Sequence, residues 1–136
     1  MPSHRPRPDR PRNRRATAMV EMAVCLPVLV IVLVGTVEAC RLIQIEQDLS
    51  VIAYEGARVG TIPGMSSETA IAQCELMLAD RGIVGHTITV QPDAGTLQPG
   101  QLLTVTVTVD CDPNSLFGTS LYGGQTIDQS VVMRAQ

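Results

Sequence analysis

Arg14-Arg15-Ala16-Thr17-Ala18-Met19-Val20-Glu21, with the apolar run behind it, is the stretch on which the reading of this chain turns. Residues 22–37 hold no charged side chain, and most of them are Val, Leu or Ile. Extended back over Thr17-Ala18-Met19-Val20 and forward over Ala39-Cys40, the run reaches the ~20 residues that a bilayer-spanning helix needs. Residues 1–15 carry six Arg and one Asp, a balance of +5, whereas the remainder carries four Arg and twelve acids, a balance of −8. A basic block beside an apolar run predicts a cytoplasmic N-terminus, with the rest of the chain on the far side of the membrane. Glu21 lies within that run. A carboxylate inside a span costs on the order of 2.5–3.5 kcal/mol on insertion scales, which makes it a functional candidate. The bland alternative places Glu21 among the headgroups, solvated, only a few residues from the Arg pair.

A basic leader, a small residue, four small or apolar residues, a Glu and a long apolar helix resemble a class III signal, the type cut by prepilin peptidases. Cleavage between Ala16 and Thr17 would make Glu21 the fifth residue of the mature chain. Arg15-Ala16-Thr17-Ala18-Met19-Val20-Glu21-Met22-Ala23, then Leu26-Pro27, Gly35 and Glu38, resemble more narrowly the TadE-like pseudopilins of tight-adherence (Tad, type IVc or Flp) pilus systems. Glu55-Gly56-Ala57-Arg58 and Ser130-Val131-Val132-Met133-Arg134 extend the likeness, which is dense over residues 14–60 and thin over 61–125. Two positions depart from the usual pattern: Ala16 stands where Gly is commoner, and Met22 where an aromatic usually follows the Glu. The resemblance implies a pilin-like layout and a minor pilus subunit or assembly factor. Its implied partners are other pseudopilins and pilins, a prepilin peptidase and the membrane platform for pilus assembly, with a secretion ATPase acting indirectly. It also implies that the Glu21 carboxylate meets the amine freed by cleavage on a neighbouring subunit. Two desolvated charges each cost several kcal/mol alone, and pairing offsets much of that.

Beyond the leader and the membrane segment, about 95 of the 136 residues remain, enough for one small domain. Tyr54, Phe117 and Tyr122 are the only aromatics, so any core is built from Val, Leu, Ile, Ala and Met. Of four Cys, Cys25 falls in the apolar run and Cys40 near its outer end. Cys74 and Cys111 fall in the exported region, where oxidation is permitted, and either pair as a disulfide or stay as two thiols. A bridge would close a loop of over thirty residues, worth roughly 3–4 kcal/mol in the chain-entropy model. No Cys or His spacing suits zinc, and the two His stand far apart. The Arg-rich leader is Pro-interrupted and lacks aromatics, which argues against nucleic acid as a partner. Neither a nucleophile motif nor a phosphate-cradling Gly loop is present, so no enzymatic activity and no cofactor are expected.

Taken in order, residues 1–16 form the basic leader, the first thirteen of them without apolar periodicity and expected to be disordered. Residues 17–60 form a long helix, its membrane part about 17–40, with Pro27 read as a kink. Leu42, Ile45, Leu49, Ile52 and Ala53 make a helical stripe, with Gln44, Gln47, Asp48 and Ser50 opposite. Glu38 with Arg41, and Glu55 with Arg58, stand at pairing distance along it. Gly60 and Pro63 end a helix that would be roughly 64 Å long at 1.5 Å per residue. Residues 61–136 read as a small extracytoplasmic domain. Ser66 or Ser67 caps a second helix carrying Ala70, Ile71, Cys74, Met77 and Leu78 on one face, and Gly82 closes it. The period then changes to two: a strand over residues 86–90, a second over 101–110 and a third near 126–134. Leu103, Val105, Val107 and Val109 share one face of the second strand. The fold class expected is α+β: a long transmembrane helix, a short helix and an antiparallel sheet of about three strands.

Two local patterns carry rival readings. Asp110-Cys111-Asp112-Pro113-Asn114 opens like a calcium loop, but Ser115 stands where that loop needs Gly, and Leu121 where it needs Glu. A turn after a strand is the preferred account. Val37-Glu38-Ala39-Cys40 resembles a lipoprotein or signal-peptidase site, which would release an exported binding module starting at Cys40. Against that stands the helical stripe, which runs straight through Cys40. The Arg14-Arg15 pair lacks the residues that twin-arginine export expects after it.

Overall fold

The computed structural model describes residues 12–118 and 123–135. Its elements are α1 (Arg12–Gly60), α2 (Ser67–Asp80), β1 (His86–Gln91), β2 (Leu102–Asp110) and β3 (Thr126–Arg134), with 3-10 turns at Ala94–Thr96 and Asp112–Asn114. This is the α+β layout expected from the periodicities. Residues 1–11, most of the basic leader, lie outside the described residues, as do Leu121 and Tyr122. α1 begins at Arg12, five residues before the expected start, in a stretch with no Pro until Pro27. The chain divides between Thr36 and Val37 into two compact units.

The first unit contains α1 as far as Thr36. Every described side chain over residues 15–33 is exposed, including Leu29, Ile31 and Leu33. Thr36 donates its hydroxyl back to the Val32 carbonyl at 2.7 Å, which satisfies a polar group within the helix itself. Length and composition make this helix one that could cross a membrane.

In the second unit the same helix obeys the amphipathic stripe. Ile45, Leu49, Ile52, Ala53 and Ala57 are buried, and so are Ala70, Cys74 and Leu78 of α2. Leu103, Val105, Val107 and Val109 of β2 complete the core from the sheet. The sheet is antiparallel in the order β1-β2-β3, with Ile88 opposite Val107 and Val107 opposite Gln129. Alternation sends Thr104, Thr106 and Thr108 to the outer face, where Thr106 hydrogen-bonds Ser130 at 3.1 Å. Gly56 and Gly60 bring α1 close to its neighbours. A Cβ at Gly56 would meet Cys74 Sγ and, at 3.5 Å, Val105; one at Gly60 would fall 2.5 Å from Leu103 Cδ2.

The ends of α2 follow local rules. Ser66 caps it, accepting from the Thr69 N–H at 3.3 Å. Its C-terminus is a Schellman motif: Gly82 at φ +63° donates to Ala79 and Ile83 donates to Leu78, each at 3.0 Å. Ser67 ties the helix start to the β1–β2 connection. Its hydroxyl donates to Asp93 Oδ1 at 2.5 Å and accepts from the Ala94 N–H at 2.8 Å. The Ser67 hydroxyl, and after it the Gly95 N–H, holds the Asp93 carboxyl below the usual carboxylate range. Arg81 reaches Asp48 of α1 at 3.0 Å.

The structure corrects one ion pair. Glu55 and Arg58 pair at 3.5 Å as expected, but Glu38 does not meet Arg41. Glu38 is buried and accepts from a backbone N–H instead, while Arg41 Nε is buried without a partner among the described residues.

Candidate functional site

Ala16, Thr17 and Glu21 all lie on α1, on exposed helix surface. With 3.6 residues per turn, Glu21 shares its stripe with Thr17 one turn before and Cys25 one turn after. Ala18, Met19, Met22, Ala23, Leu26 and Pro27 line a shallow, almost wholly apolar groove around the other side of the helix. The ion pairs among the described residues are Arg58–Glu55 and Arg81–Asp48, so Glu21 has no charge partner there. A carboxylate set in an apolar, lipid-length helix, with no ion-pair partner among the described residues, is suited to pairing with a cation from outside the chain.

A second polar constellation escaped the sequence reading. Glu38, 3 % exposed, accepts from the Leu116 N–H at 3.2 Å, across 78 residues of chain. Beside it, Asn114 is also buried. Its side chain accepts from the Val84 N–H at 3.1 Å and donates to the carbonyls of Val84 at 2.7 Å and Asp110 at 2.8 Å. The stretch that opens like a calcium loop therefore uses its Asn114 amide to clamp the α2–β1 connection onto the end of β2. Asp112 Oδ2 in turn accepts from the Gly124 N–H at 3.1 Å. These oxygens serve the backbone. The sequence signal available was Asn114 after a strand and a Pro, a combination that suits a turn as well as a metal loop.

Cys74 and Cys111 are not brought together; both are free thiols. Cys74 lies on the buried face of α2 near Gly56, and its thiol donates to the Ile52 carbonyl at 3.6 Å. Cys111 follows β2, six residues beyond Val105, which in a strand is about 20 Å. A disulfide needs Cα atoms within about 7 Å, and the structure leaves the two sulfurs unbridged. Burial, and then the neighbouring Glu75, raises the Cys74 thiol to about 11. Burial, with Asp112 and Asp110 adding to it, also pushes Cys111 up. Both are poor nucleophiles and poor metal ligands at neutral pH. Among the described residues no cluster of His, Cys, Asp or Glu could hold a metal ion.

Residues 16–58 match the model of the TadE-like protein family. The match begins at Ala16, passes through Glu21, Glu38 and Cys40, and ends within the last turn of α1. The matched stretch contains the apolar helix that is long enough to cross a membrane. No curated protein and no solved structure matches the chain.

Proposed function

We propose that this chain is a minor pseudopilin or assembly factor of a Tad-type pilus, held in the cytoplasmic membrane by α1 with its N-terminus in the cytoplasm and its second unit outside. A prepilin peptidase cuts it between Ala16 and Thr17. Glu21, then the fifth residue, pairs with the new amine of a neighbouring pseudopilin or pilin during association on the assembly platform. The observation that carries this reading is the family match over residues 16–58. The match and the helix both continue through Cys40, which speaks for one retained anchor over an exported module cut there.

The test is Glu21→Gln in cells, scored together for membrane protein level, mature N-terminus and piliation. Removing the charge eases insertion, so the variant should reach the membrane at wild-type amounts or above. It should also carry Thr17 as its first residue after processing. Piliation should fall to a small fraction of normal, with Glu21→Asp between the two. Normal piliation at normal protein level would remove the assembly role of Glu21. A mature N-terminus at Cys40 would remove the reading as a whole.

A further inference from the structure

Glu38 is the first charged residue after the uncharged run of residues 22–37, so it marks one end of the apolar segment. Its carboxylate accepts the Leu116 N–H at 3.2 Å, which fixes the loop after the second 3-10 turn at that level of α1. The base of the loop is held separately by Asn114, through its bonds to Val84 and Asp110. Leu116 and Phe117 therefore sit on an anchored backbone, yet they are 56 % and 49 % exposed and do not join the core. Two large apolar side chains are thus presented on the surface of the second unit, on a loop hydrogen-bonded to Glu38.

We infer that Leu116 and Phe117 form a lipid-contacting tip, seated in the headgroup–acyl boundary of the leaflet from which α1 emerges. This rests on the reading of α1 as a membrane span. The occupant is the bilayer surface because Glu38 directly follows the last residue of the uncharged run, and the loop is hydrogen-bonded to Glu38 itself. Phe and Leu side chains that stand out from a polar surface bury favourably at the headgroup–acyl boundary, and Phe117 is the only Phe in the chain. The tip gives the second unit a contact with the membrane beyond its covalent link through the helix.

The chain has no Trp, so a single introduced Trp reports one position. Full-length Phe117→Trp, Leu29→Trp and Tyr54→Trp are reconstituted in phosphatidylcholine–phosphatidylglycerol vesicles, with lipids brominated either near the glycerol or near the chain ends. Tyr54 stands sixteen residues beyond Glu38, about 24 Å along the helix, and serves as the water-side reference. Phe117→Trp should lose about half of its emission or more to shallow bromines and less to deep ones, as an interfacial ring does. Leu29→Trp should show the reverse preference, and Tyr54→Trp almost no quenching. Phe117→Trp unquenched beside a quenched Leu29→Trp overturns the tip while the span stands. A blue-shifted but unquenched Phe117→Trp also overturns it, assigning the loop to a protein neighbour. If Leu29→Trp is not quenched, the span fails and the tip with it.

Discussion

Over residues 19–33, α1 buries no side chain, whereas over residues 45–57 it buries Ile45, Leu49, Ile52, Ala53, Gly56 and Ala57. Both stretches are rich in branched aliphatic residues, so hydrophobicity alone does not separate them. Pattern does. Glu21 apart, the first is apolar all round, the mark of a helix whose solvent is lipid. The second is apolar on one stripe, with Gln47, Ser50 and Arg58 left to water. One helix is thus matched to two solvents, and identical substitutions should have unequal effects in its two parts.

Leu49→Ala against Leu29→Ala gives the largest contrast. Leu49 is fully buried, so its truncation should cost about 2–5 kcal/mol of unfolding free energy. Leu29 touches no core residue, and Leu29→Ala should leave that value within about 0.5 kcal/mol. Denaturant titration of the full chain in detergent, followed by circular dichroism, reads both. Equal losses would mean that the first stretch packs inside the protein after all.

A second test concerns the interior that the amphipathic stretch creates. The Cys74 thiol titrates near 11 when folded, against 9.0 as the ordinary value. Below pH 9 both states keep the proton and the stability is fully present. Between 9 and 11 the unfolded chain loses its proton first, so stability falls as pH rises, by up to about 2–3 kcal/mol. Under reducing conditions the wild type should show this loss, and Cys74→Ala should lack that part of it. Parallel pH curves for the two proteins would contradict the burial of Cys74.

The smallest effect expected is at Gly56. A methyl there gains helix propensity but collides with Cys74 Sγ, for a net cost of about 1–2 kcal/mol. Combining Gly56→Ala with Cys74→Ala should recover part of the loss, because the two groups compete for one space. Simple additivity would show that α1 and α2 approach less closely than described. In the first unit, where Gly35 has nothing within 4 Å, Gly35→Ala should be neutral in the same assay.

These contrasts mark what the sequence could reveal. Period 3.6 over residues 42–53 and period 2 over Leu103, Val105, Val107 and Val109 located the core faces, because burial itself writes those periods. The Ser66 cap and the Gly82 stop were equally local and equally legible. Contacts between distant residues were not. Glu38 was paired with Arg41 because they stand one turn apart, but its partner is Leu116, brought in only by the fold. Cys74 and Cys111 could pair or stay as thiols as far as the sequence goes, and in the structure they are unbridged. Gly56 showed no sign of its role until α2 lay against it. At the proposed assembly site, Glu21 was visible because a charge in an apolar run is conspicuous without any tertiary information.

The strand order has a consequence for the chain before it folds. β2, Leu-Leu-Thr-Val-Thr-Val-Thr-Val-Asp, has eight uncharged residues of high strand propensity, the kind of segment that stacks on copies of itself. In the sheet it takes the central position, hydrogen-bonded on both sides by β1 and β3. The edges fall to a short six-residue strand with His86 and Gln91 at its ends, and to β3, which carries Asp128 and Arg134. Charge and shortness at an open edge discourage a second chain from pairing there. The segment most prone to pair with copies of itself is thereby held in the middle of the sheet. On the role proposed above, association would then run through the helix rather than through accidental strand exchange.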